Sequence, residues 1–307
     1  MQGPAVASPS FSKNETLVDE LIAIFPDAKI NLEGRILGGD ELVEYCRGYE
    51  SIILGTEKLD DSVIERLPEL QFVAKYGVGL DNVDQDSLQR RGIRLGWSGG
   101  VNRRSVSEMA LAFMIGLSRN LFLTSQKLKN GEWDKRGGFQ LTEKTVGIIG
   151  CGFVGEDLIR LLEPFQCQIL ICDILDKSEL CSLYSARQVS MEDLLAEADL
   201  VTLHVPLTEK TEGMVNRDFL ARMKRQAYLI NTSRGGVINE AALVEGLKTG
   251  AIAGAAIDVY QREPASDNPL LSLPNLIGTP HIGGNAREAV LAMGRSAIEH
   301  LRVWAGL

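Results

Sequence analysis

The sequence predicts an α/β fold in which two parallel sheets are each covered by helices on both faces. Three observations lead to this fold class. Short runs of residues are apolar throughout, amphipathic segments separate these runs, and the alternation occurs in two successive stretches of the chain. Strands without a polar face are typical of parallel sheets that are buried on both sides.

The stretch after residue 145 shows the alternation most clearly. Its apolar runs predict strands at 145–150, 168–173, 200–205, 228–231, 253–258 and 276–278. The amphipathic segments between them predict helices at 156–163, 191–196, 217–223 and 240–248. The first hundred residues repeat the rhythm less regularly, with strands predicted at 5–7, 51–54, 71–74 and 93–95 and helices at 15–24, 40–47 and 61–67. Each stretch therefore predicts one α/β domain.

A predicted helix joins the two domains. Ser105 and Glu108 have the spacing of a capping box, and apolar residues recur at helical spacing after it: Val106, Met109, Ala110, Phe113, Met114 and Leu117. The segment after His281 has another helical pattern, which we expect to return to the first domain. The predicted boundaries are 1–100 with 286–307 for a discontinuous first domain, and 101–285 for the second.

Composition excludes some classes of partner. The chain has 32 Lys and Arg against 41 Asp and Glu, a net charge of −9, so binding to nucleic acid or an anionic membrane is not expected. The apolar helical run 109–117 is shorter than the roughly 20 residues that span a bilayer, and no secretory signal is visible. The five cysteines form no C-x-x-C pair, so we expect reduced thiols, no metal site and a cytoplasmic location.

A glycine-rich turn follows the first strand of the second domain. Gly150, Gly152 and Gly155 have the spacing G-x-G-x-x-G between an apolar strand and a helix start. In such a turn the first glycine permits the tight bend, the second allows a pyrophosphate to approach, and the third lets the helix pack closely on the strand. The pyrophosphate would sit at the helix N-terminus, where Phe153 and Val154 lie.

An acidic residue makes the glycine turn more specific. Asp173 ends the next predicted strand, at about the distance of 20 residues that is usual for this motif. Its carboxylate can accept hydrogen bonds from both ribose hydroxyls and would repel a 2′-phosphate. Ile174 and Leu175 follow, so no Arg adjoins it. The second domain is therefore predicted to be a Rossmann domain that binds NAD rather than NADP.

Three further segments, 231–236, 258–264 and 279–284, follow predicted strands of the same domain. Residues just beyond the carboxyl ends of parallel strands line the ligand crevice. Arg234, Glu263 and His281, one from each segment, are therefore expected to converge beside the nicotinamide. Taken singly, each would more often be an ordinary surface group than a catalyst.

These three residue types suit hydride transfer to a carbonyl. The reaction needs a proton donor for the forming alkoxide, and a histidine can both donate and accept a proton near neutral pH. A neighbouring glutamate would stabilise the imidazolium and orient the ring. Arginine matches a substrate carboxylate through two parallel hydrogen bonds. The segments therefore predict a dehydrogenase site for a 2-keto or 2-hydroxy acid.

The chain has only two other histidines, and neither is the preferred proton donor. His300 lies in the terminal helical pattern and is expected on a solvated face. His204 follows an apolar strand, where it could serve either as a packing residue or as a neighbour of the cofactor.

With these motifs in place, the chain resembles the D-isomer-specific 2-hydroxyacid dehydrogenase family, and most of all its short phosphoglycerate-dehydrogenase-like branch. The resemblance covers nearly the whole chain and is strongest from Lys75 to Glu299. It implies two Rossmann/flavodoxin-like doubly wound domains with the active-site cleft between them. The second domain would bind NAD, and the first would be the substrate-binding, catalytic domain.

The resemblance also implies individual roles. Arg234 would anchor the substrate, His281 would be the general acid/base, and Glu263 its partner. The substrate carboxylate would meet backbone N–H groups of the loop formed by Tyr76, Gly77, Val78 and Gly79. Asp258 would meet the nicotinamide carboxamide, and the remaining cofactor contacts would come from His204, Val205, Pro206, Thr232, Ser233, His281 and Gly283. A homodimer through the 101–141 region is implied as well.

One departure concerns the substrate. Phosphoglycerate dehydrogenases carry an Arg-Ser-x-Thr motif after the third strand of the first domain, whereas this chain has the segment 54–58, Leu-Gly-Thr-Glu-Lys. Lys58 lies in this loop, and Arg103 and Arg104 begin the connecting helix. If any of them faces the substrate, a second anionic group such as a phosphate, phosphonate or carboxylate is expected on it.

Two alternatives stay open at this stage. A corepressor or NAD(H) sensor of the same fold would keep the same motifs without turnover. A phosphite-oxidising dehydrogenase is compatible with them too. A formate enzyme is disfavoured, because formate dehydrogenases of this fold normally have Gln where Glu263 stands.

Overall fold

The computed structural model describes residues 2–307, and its strands form two parallel sheets. The strands are β1 (Ala5–Val6), β2 (Lys29–Ile30), β3 (Ser51–Leu54), β4 (Phe72–Lys75), β5 (Arg94–Gly96), β6 (Thr145–Ile149), β7 (Gln168–Cys172), β8 (Arg187–Gln188), β9 (Leu200–Leu203), β10 (Tyr228–Asn231), β11 (Gly254–Ile257) and β12 (Leu276–Gly278). The helices are α1 (Pro9–Ser12), α2 (Glu15–Ile24), α3 (Asp40–Cys46), α4 (Asp61–Ile64), α5 (Gln85–Arg90), α6 (Arg103–Ser118), α7 (Leu121–Lys129), α8 (Phe153–Leu162), α9 (Ser178–Tyr184), α10 (Met191–Glu197), α11 (Arg217–Arg222), α12 (Glu240–Thr249) and α13 (Arg287–Ala305).

The chain divides into two compact units. Unit 1 comprises the residues up to Asn102 together with Arg287–Leu307, and unit 2 comprises Arg103–Ala286. Unit 1 contains a five-stranded sheet in the order β2-β1-β3-β4-β5, which is the flavodoxin-like order. Unit 2 contains a seven-stranded sheet in the order β12-β11-β10-β9-β6-β7-β8, which is the Rossmann order with β12 added at one edge. The predicted fold class is confirmed.

Each sheet is buried on both faces, which explains why its strands are apolar throughout. In β3, Ile52 belongs to one apolar cluster of unit 1 and Ile53 to the other. In β6, Ile148 and Ile149 are divided in the same way between the two clusters of unit 2. Since neighbouring side chains of a strand point to opposite faces, a sheet with two covered faces has no position for an alternating polar residue.

Several predicted elements form at the predicted residues, namely β3, β10, β12 and α2. The sequence analysis missed β2 and β8, which are two-residue strands, and the short helices α1, α5 and α9. Elements of this length contain too few residues to show a period of 2 or 3.6.

The predicted capping box is wrong. Helix α6 begins at Arg103, so Ser105 lies inside its first turn and not before it. The Ser105 hydroxyl instead donates to the Gly283 carbonyl oxygen at 2.6 Å and accepts from the Ala286 N–H at 3.3 Å. Ser105 therefore attaches the helix to the segment that follows His281, a contact between residues far apart in the chain.

Within residues 2–307, no single helix is long and apolar enough to span a membrane; α6 and α7 together meet the length and composition criteria but are bent by 63°.

Candidate active site

The glycine turn of unit 2 leaves no room for larger residues. Gly150 has a φ of +83°, and a Cβ there would lie 2.7 Å from the His204 carbonyl oxygen. A Cβ on Gly155 would lie 2.8 Å from the Gly150 oxygen. By contrast, a Cβ on Gly152 would meet no atom within 4 Å among residues 2–307. The turn is therefore packed tightly on the protein side and is open at the position where a pyrophosphate would approach.

The start of α8 is suited to an anion. Gly152 is its N-cap and provides no side-chain hydrogen bond to the first turn. The first N–H groups of a helix have no partner within the helix, and they carry the positive end of its dipole. Phe153 and Val154 are the first two residues of α8, so their N–H groups belong to this set. Backbone N–H groups at this position can hold the phosphates of a dinucleotide.

Asp173 lies beside the turn, immediately after β7. One carboxylate oxygen accepts from the Cys151 N–H at 2.6 Å, and the other accepts from the Leu175 N–H at 2.9 Å. The Lys177 Nζ is 3.9 Å from the carboxylate. These contacts hold the carboxylate at the sheet edge that adjoins the glycine turn. The sequence analysis missed Lys177, which stands four residues beyond the acid; a search beyond the immediate neighbours would have found it.

His204 and Val205 pack against the glycine turn. Gly150 lies so close to both that a Cβ would be 2.7 Å from each. The His204 Nε2 lies 3.0 Å from the Thr202 hydroxyl, and burial lowers the pKa of His204 to about 4. An imidazole with this pKa is neutral at physiological pH and is therefore a poor proton donor. Pro206 follows on the surface, where its carbonyl oxygen accepts from a Thr211 hydroxyl.

The segment after β10 is a side-chain-stabilised turn. The Asn231 Oδ1 accepts from the Ser233 N–H at 3.0 Å, and the Asn231 Nδ2 donates to the Arg234 carbonyl oxygen at 3.0 Å. Thr232 is buried, and its hydroxyl has no hydrogen-bond partner within residues 2–307. A buried polar atom without a partner is costly, so it indicates a position where a ligand could supply the missing bond.

Arg234 is half-buried and is held in a defined orientation. Its Nη1 donates to the Ser233 carbonyl oxygen at 2.8 Å. The next residue, Gly235, packs so closely that a Cβ there would be 1.9 Å from the Tyr260 carbonyl carbon. Since no other residue fits this space, the Arg234 turn lies directly against the segment that follows β11.

Glu263 and His281 form the central pair of the site. The His281 Nδ1 lies 2.8 Å from one Glu263 oxygen, and the other Glu263 oxygen accepts from the Tyr260 N–H at 3.1 Å. An ionised carboxylate only accepts hydrogen bonds, so Nδ1 carries the hydrogen and Nε2 is the nitrogen left for a substrate. His281 has a φ of +54°, a conformation that is uncommon outside glycine.

Asp258 holds the loop that carries His281. It is buried, and its carboxylate accepts from the Thr279 hydroxyl at 2.6 Å, the Ile282 N–H at 2.8 Å and the Gly283 N–H at 2.7 Å. The structure therefore shows a positioning role for Asp258. The contact with a nicotinamide carboxamide that the resemblance implied stays a prediction. Both backbone groups of Gly283 are hydrogen-bonded: its N–H donates to Asp258, and its carbonyl oxygen accepts from Ser105.

The loop that follows β4 in unit 1 presents unpaired backbone donors. The N–H groups of Gly77, Val78 and Gly79 have no acceptor in the described part of the chain. Gly77 has a φ of +127°, which only glycine adopts readily. Three successive N–H groups without partners are available to an anion such as a carboxylate.

Tyr76 differs from its three neighbours, because its N–H is not one of the free donors; its inclusion among the substrate ligands stays a prediction. Its N–H donates to the Leu54 carbonyl oxygen at 2.8 Å, so this donor already has a partner. Its ring is buried against Phe11, with ring centroids 5.5 Å apart, and burial raises the pKa of its hydroxyl. Tyr76 is therefore a core residue that fixes the start of the loop.

Two lysines at the carboxyl ends of β3 and β4 differ in their surroundings. The Lys58 side chain is 76% exposed and pairs with Asp60 at 3.0 Å. Lys75, which was given no role, is buried and binds the Gly55 carbonyl oxygen and, at 2.9 Å, the Asn82 Oδ1. Lys75 thereby joins the loop after β3 to the loop after β4. Arg104 pairs with the buried Asp157 at 3.0 Å.

The residues of unit 2 fit a dinucleotide cofactor. The open face of Gly152, the uncapped start of α8, the fixed Asp173 carboxylate and the unpartnered Thr232 hydroxyl all lie at or near the carboxyl edge of one sheet. Among residues 2–307, no group of three or more His, Cys, Asp or Glu side chains is arranged to hold a metal ion. All five cysteines are free thiols.

Comparison with known proteins identifies the family. Residues 111–283, more than half of the chain, match the model described as "D-isomer specific 2-hydroxyacid dehydrogenase, NAD binding domain". The chain belongs to the D-isomer specific 2-hydroxyacid dehydrogenase family. The matched residues lie entirely within unit 2, which is therefore the family's NAD-binding domain. The predicted family and cofactor are confirmed.

Relatives within the dehydrogenase family differ in length. The chain is 37% identical to a D-3-phosphoglycerate dehydrogenase from Methanocaldococcus jannaschii over 268 residues, 86% of this chain but 51% of that protein. It therefore spans about half the length of that relative. It is 35% identical to a glyoxylate reductase from Thermococcus litoralis over 274 residues, which are 86% of this chain and 83% of the relative.

The crystal structure of the TT0316 protein from Thermus thermophilus shows the same fold. It superposes with a TM-score of 0.88 at 30% identity, and the match covers 99% of this chain and 97% of that one. Because the match covers nearly all of both chains, the similarity extends beyond the NAD-binding domain to unit 1.

Proposed function

We propose that the protein is an NAD-dependent, D-specific 2-hydroxyacid dehydrogenase that works as a 2-keto acid reductase in the reverse direction. The observation that carries the proposal is the hydrogen bond of 2.8 Å between His281 Nδ1 and Glu263, within the NAD-binding domain. A histidine oriented by a carboxylate is a proton donor and acceptor, which hydride transfer to a carbonyl requires.

Each residue of the candidate site has its own role in the proposed reaction. When bound, NADH would supply the hydride for C2 of the keto acid. His281 donates the proton from Nε2 to the oxygen on C2, and Glu263 stabilises the positive charge of the ring before the proton leaves. Arg234 holds the substrate carboxylate through paired hydrogen bonds, and the N–H groups of Gly77–Gly79 bind the same kind of group. His204 takes no part in proton transfer, because burial keeps it neutral.

A small, monoanionic keto acid is the substrate that we favour. The glyoxylate reductase relative is matched over 83% of its length, whereas the phosphoglycerate dehydrogenase is matched over only 51%. Lys58, the residue expected to contact a second anionic group, already has an acidic partner in Asp60. A role for Lys58 in binding a second charge stays a prediction.

A screen of 2-keto acids with NADH tests the proposal, with oxidation of NADH followed by its absorbance. We expect turnover of glyoxylate, pyruvate or hydroxypyruvate with a D-configured product wherever the product is chiral. Binding of NADH without turnover of any keto acid would favour a sensor or corepressor. Reduction of NAD by phosphite would favour the phosphite-type alternative.

The same assay decides whether Lys58 recognises a second charge. The value of kcat/KM is measured for a dianionic and a monoanionic keto acid of equal length. The wild type is then compared with Lys58→Ala for each substrate. A charge-assisted contact predicts a loss of roughly 1.5–3 kcal/mol for the dianionic substrate alone. Because the Lys58 side chain is exposed and paired with Asp60, we expect no such selective loss. A loss confined to the dianionic substrate would show that the second charge is bound there.

Replacing Asp173 tests the choice of cofactor. Asp173→Ala should raise KM for NADH by roughly 10- to 100-fold, because hydrogen bonds from ribose hydroxyls to an ionised acceptor are lost. It should also improve the use of NADPH, since the nearby Lys177 ammonium would no longer face a carboxylate. Glu179→Ala, which removes an exposed acid a few residues away, is the matched control and should change neither constant.

A double variant completes this test. Asp173→Ala with Lys177→Ala should lose the gain in NADPH use while it keeps the high KM for NADH. A wild-type enzyme that prefers NADPH over NADH would contradict the assignment of Asp173.

A homodimer through the 101–141 region stays a prediction, as does a cytoplasmic location. Support for the dimer comes from apolar side chains that are exposed in this region, namely Leu121, Phe122, Leu128 and Trp133. Clustered exposed apolar side chains are typical of protein interfaces.

A further inference from the structure

Trp97 contacts the loop that presents the unpaired N–H groups. It follows β5, which pairs with β4 in a register that places Gly96 opposite Ala74. Its indole Nε1 donates to the Val78 carbonyl oxygen at 3.0 Å, and the residue is 38% exposed. The Trp97 indole therefore donates to a carbonyl oxygen of the loop, whereas the N–H groups of Gly77, Val78 and Gly79 in the same loop are unpaired.

This hydrogen bond acts on a single peptide unit. The Val78 carbonyl and the Gly79 N–H belong to the same planar trans peptide and point in opposite directions. Fixing the carbonyl by the indole therefore fixes the direction of the Gly79 N–H. Hydrogen bonding at a carbonyl also polarises the amide, so the N–H on the other side becomes a stronger donor. Without a partner for its carbonyl, this glycine-flanked peptide could rotate with little steric resistance.

The backbone around Trp97 is itself held firmly. A Cβ on Gly96 would be 2.5 Å from the Phe72 ring and 2.6 Å from the His300 Cβ, so β5 packs directly on α13. On the other side, the Ser98 hydroxyl lies 2.9 Å from His300 Nε2. The expectation that His300 is a solvated face residue is therefore wrong; it is half-buried and anchors the segment that carries Trp97.

We propose that Trp97 is a positioning residue for the substrate carboxylate: by holding the Val78 carbonyl, it aims the Gly79 N–H at the anion. The inference rests on the proposed function, in which the loop binds a carboxylate. Trp97 need not touch the substrate, and its effect depends on the carboxylate that all 2-keto acids share. It should therefore be independent of the substrate's side chain.

The test is Trp97→Phe, which keeps an aromatic ring and removes the N–H donor. We expect KM for pyruvate, and Ki for the inhibitor oxamate, to rise about 5- to 10-fold, as the loss of one oriented hydrogen bond predicts. The value of kcat and the Kd for NADH should change less than about 2-fold. Glyoxylate and longer 2-keto acids should show the same increase in KM. Trp133→Phe, which replaces an exposed indole outside unit 1 and keeps an apolar ring in the proposed dimer region, is the control and should match the wild type.

The outcomes separate this inference from the proposed function. An active wild type with an unchanged KM in Trp97→Phe would overturn the role of Trp97 alone. An increase in KM that grows with substrate size would overturn it as well, since Trp97 would then be a wall of the pocket. A wild type that neither reduces a keto acid nor binds oxamate would overturn both.

A second measurement does not depend on the folding of that variant. With Trp133 and Trp304 replaced by Phe, Trp97 is the sole indole of the chain. Oxamate added to the NADH complex should shift or quench its fluorescence, because an anion bound at Gly79 N–H alters the shared peptide. Emission that does not respond while oxamate inhibits turnover would overturn the inference.

Discussion

His281→Asn should lower kcat for keto-acid reduction by about 10²–10⁴-fold, the usual contribution of a positioned general acid. Asparagine can occupy the same space and accept or donate a hydrogen bond, but it cannot transfer a proton near neutral pH. Steady-state kinetics with saturating NADH measure the effect. The Kd for NADH, from fluorescence titration, should stay within about 2-fold of the wild-type value. A kcat close to that of the wild type would show that His281 is not the proton donor.

Glu263→Gln tests whether the carboxylate stabilises the protonated form of His281. It keeps an oxygen that can accept from His281 Nδ1 but removes the negative charge, so the loss in kcat should be smaller. Keto-acid reduction needs the protonated ring, and an adjacent anion favours that form. Removing the anion makes the protonated form disappear at lower pH, so the alkaline limb of the kcat profile should move to lower pH. An unchanged profile would contradict the coupling that the distance of 2.8 Å implies.

Arg234→Ala should lower kcat/KM for 2-keto acids by about 10²–10³-fold, because the substrate carboxylate would be desolvated without its charged partner. Arg234→Lys should recover only part of this loss, since an ammonium keeps the charge but cannot make two parallel hydrogen bonds. The Ki for oxamate should rise in parallel, because oxamate shares the carboxylate and needs no hydride.

The control for Arg234 is Arg225→Ala, an exposed arginine that precedes β10 in the same unit. It changes the net charge by the same amount and should leave kcat/KM within about 2-fold of the wild type. If the two variants behaved alike, the role of Arg234 as substrate anchor would be refuted.

Features that depend on local pattern were accessible from the sequence. Residue spacing predicts the glycine turn. Apolar runs predict the strands, and each polar segment of the site comes directly after one of these strands. Because parallel strands place their carboxyl ends at one edge, Arg234, Glu263 and His281 could be assigned to that edge before any distance was known. Their local contacts, such as Glu263 with the Tyr260 N–H, then depend on only a few neighbouring residues.

The contacts that the sequence did not reveal share one physical cause. Ser105 has the spacing of a capping residue, yet its hydroxyl binds Gly283, which lies far along the chain. Tyr76 belongs by sequence to the anion-binding loop, but its ring packs on Phe11 and its N–H bonds to β3. No pattern distinguishes Lys75, whose buried ammonium binds the Gly55 carbonyl oxygen in the loop that also contains Lys58. In each case the partner comes from a segment that no local pattern reveals.

By itself, therefore, the sequence determined the fold class, the glycine turn of the NAD-binding domain and the strands after which Arg234, Glu263 and His281 lie, because these depend on spacing along the chain. Only the tertiary structure decided which donors remain unpaired at Gly77–Gly79, and which side chains hold the loops of the candidate site. Asp258 beneath the His281 loop and Trp97 beside Val78 are examples of the latter. Whether a hydrogen-bonding group is available for a substrate depends on all the partners that packing brings to it, and those partners come from every part of a unit.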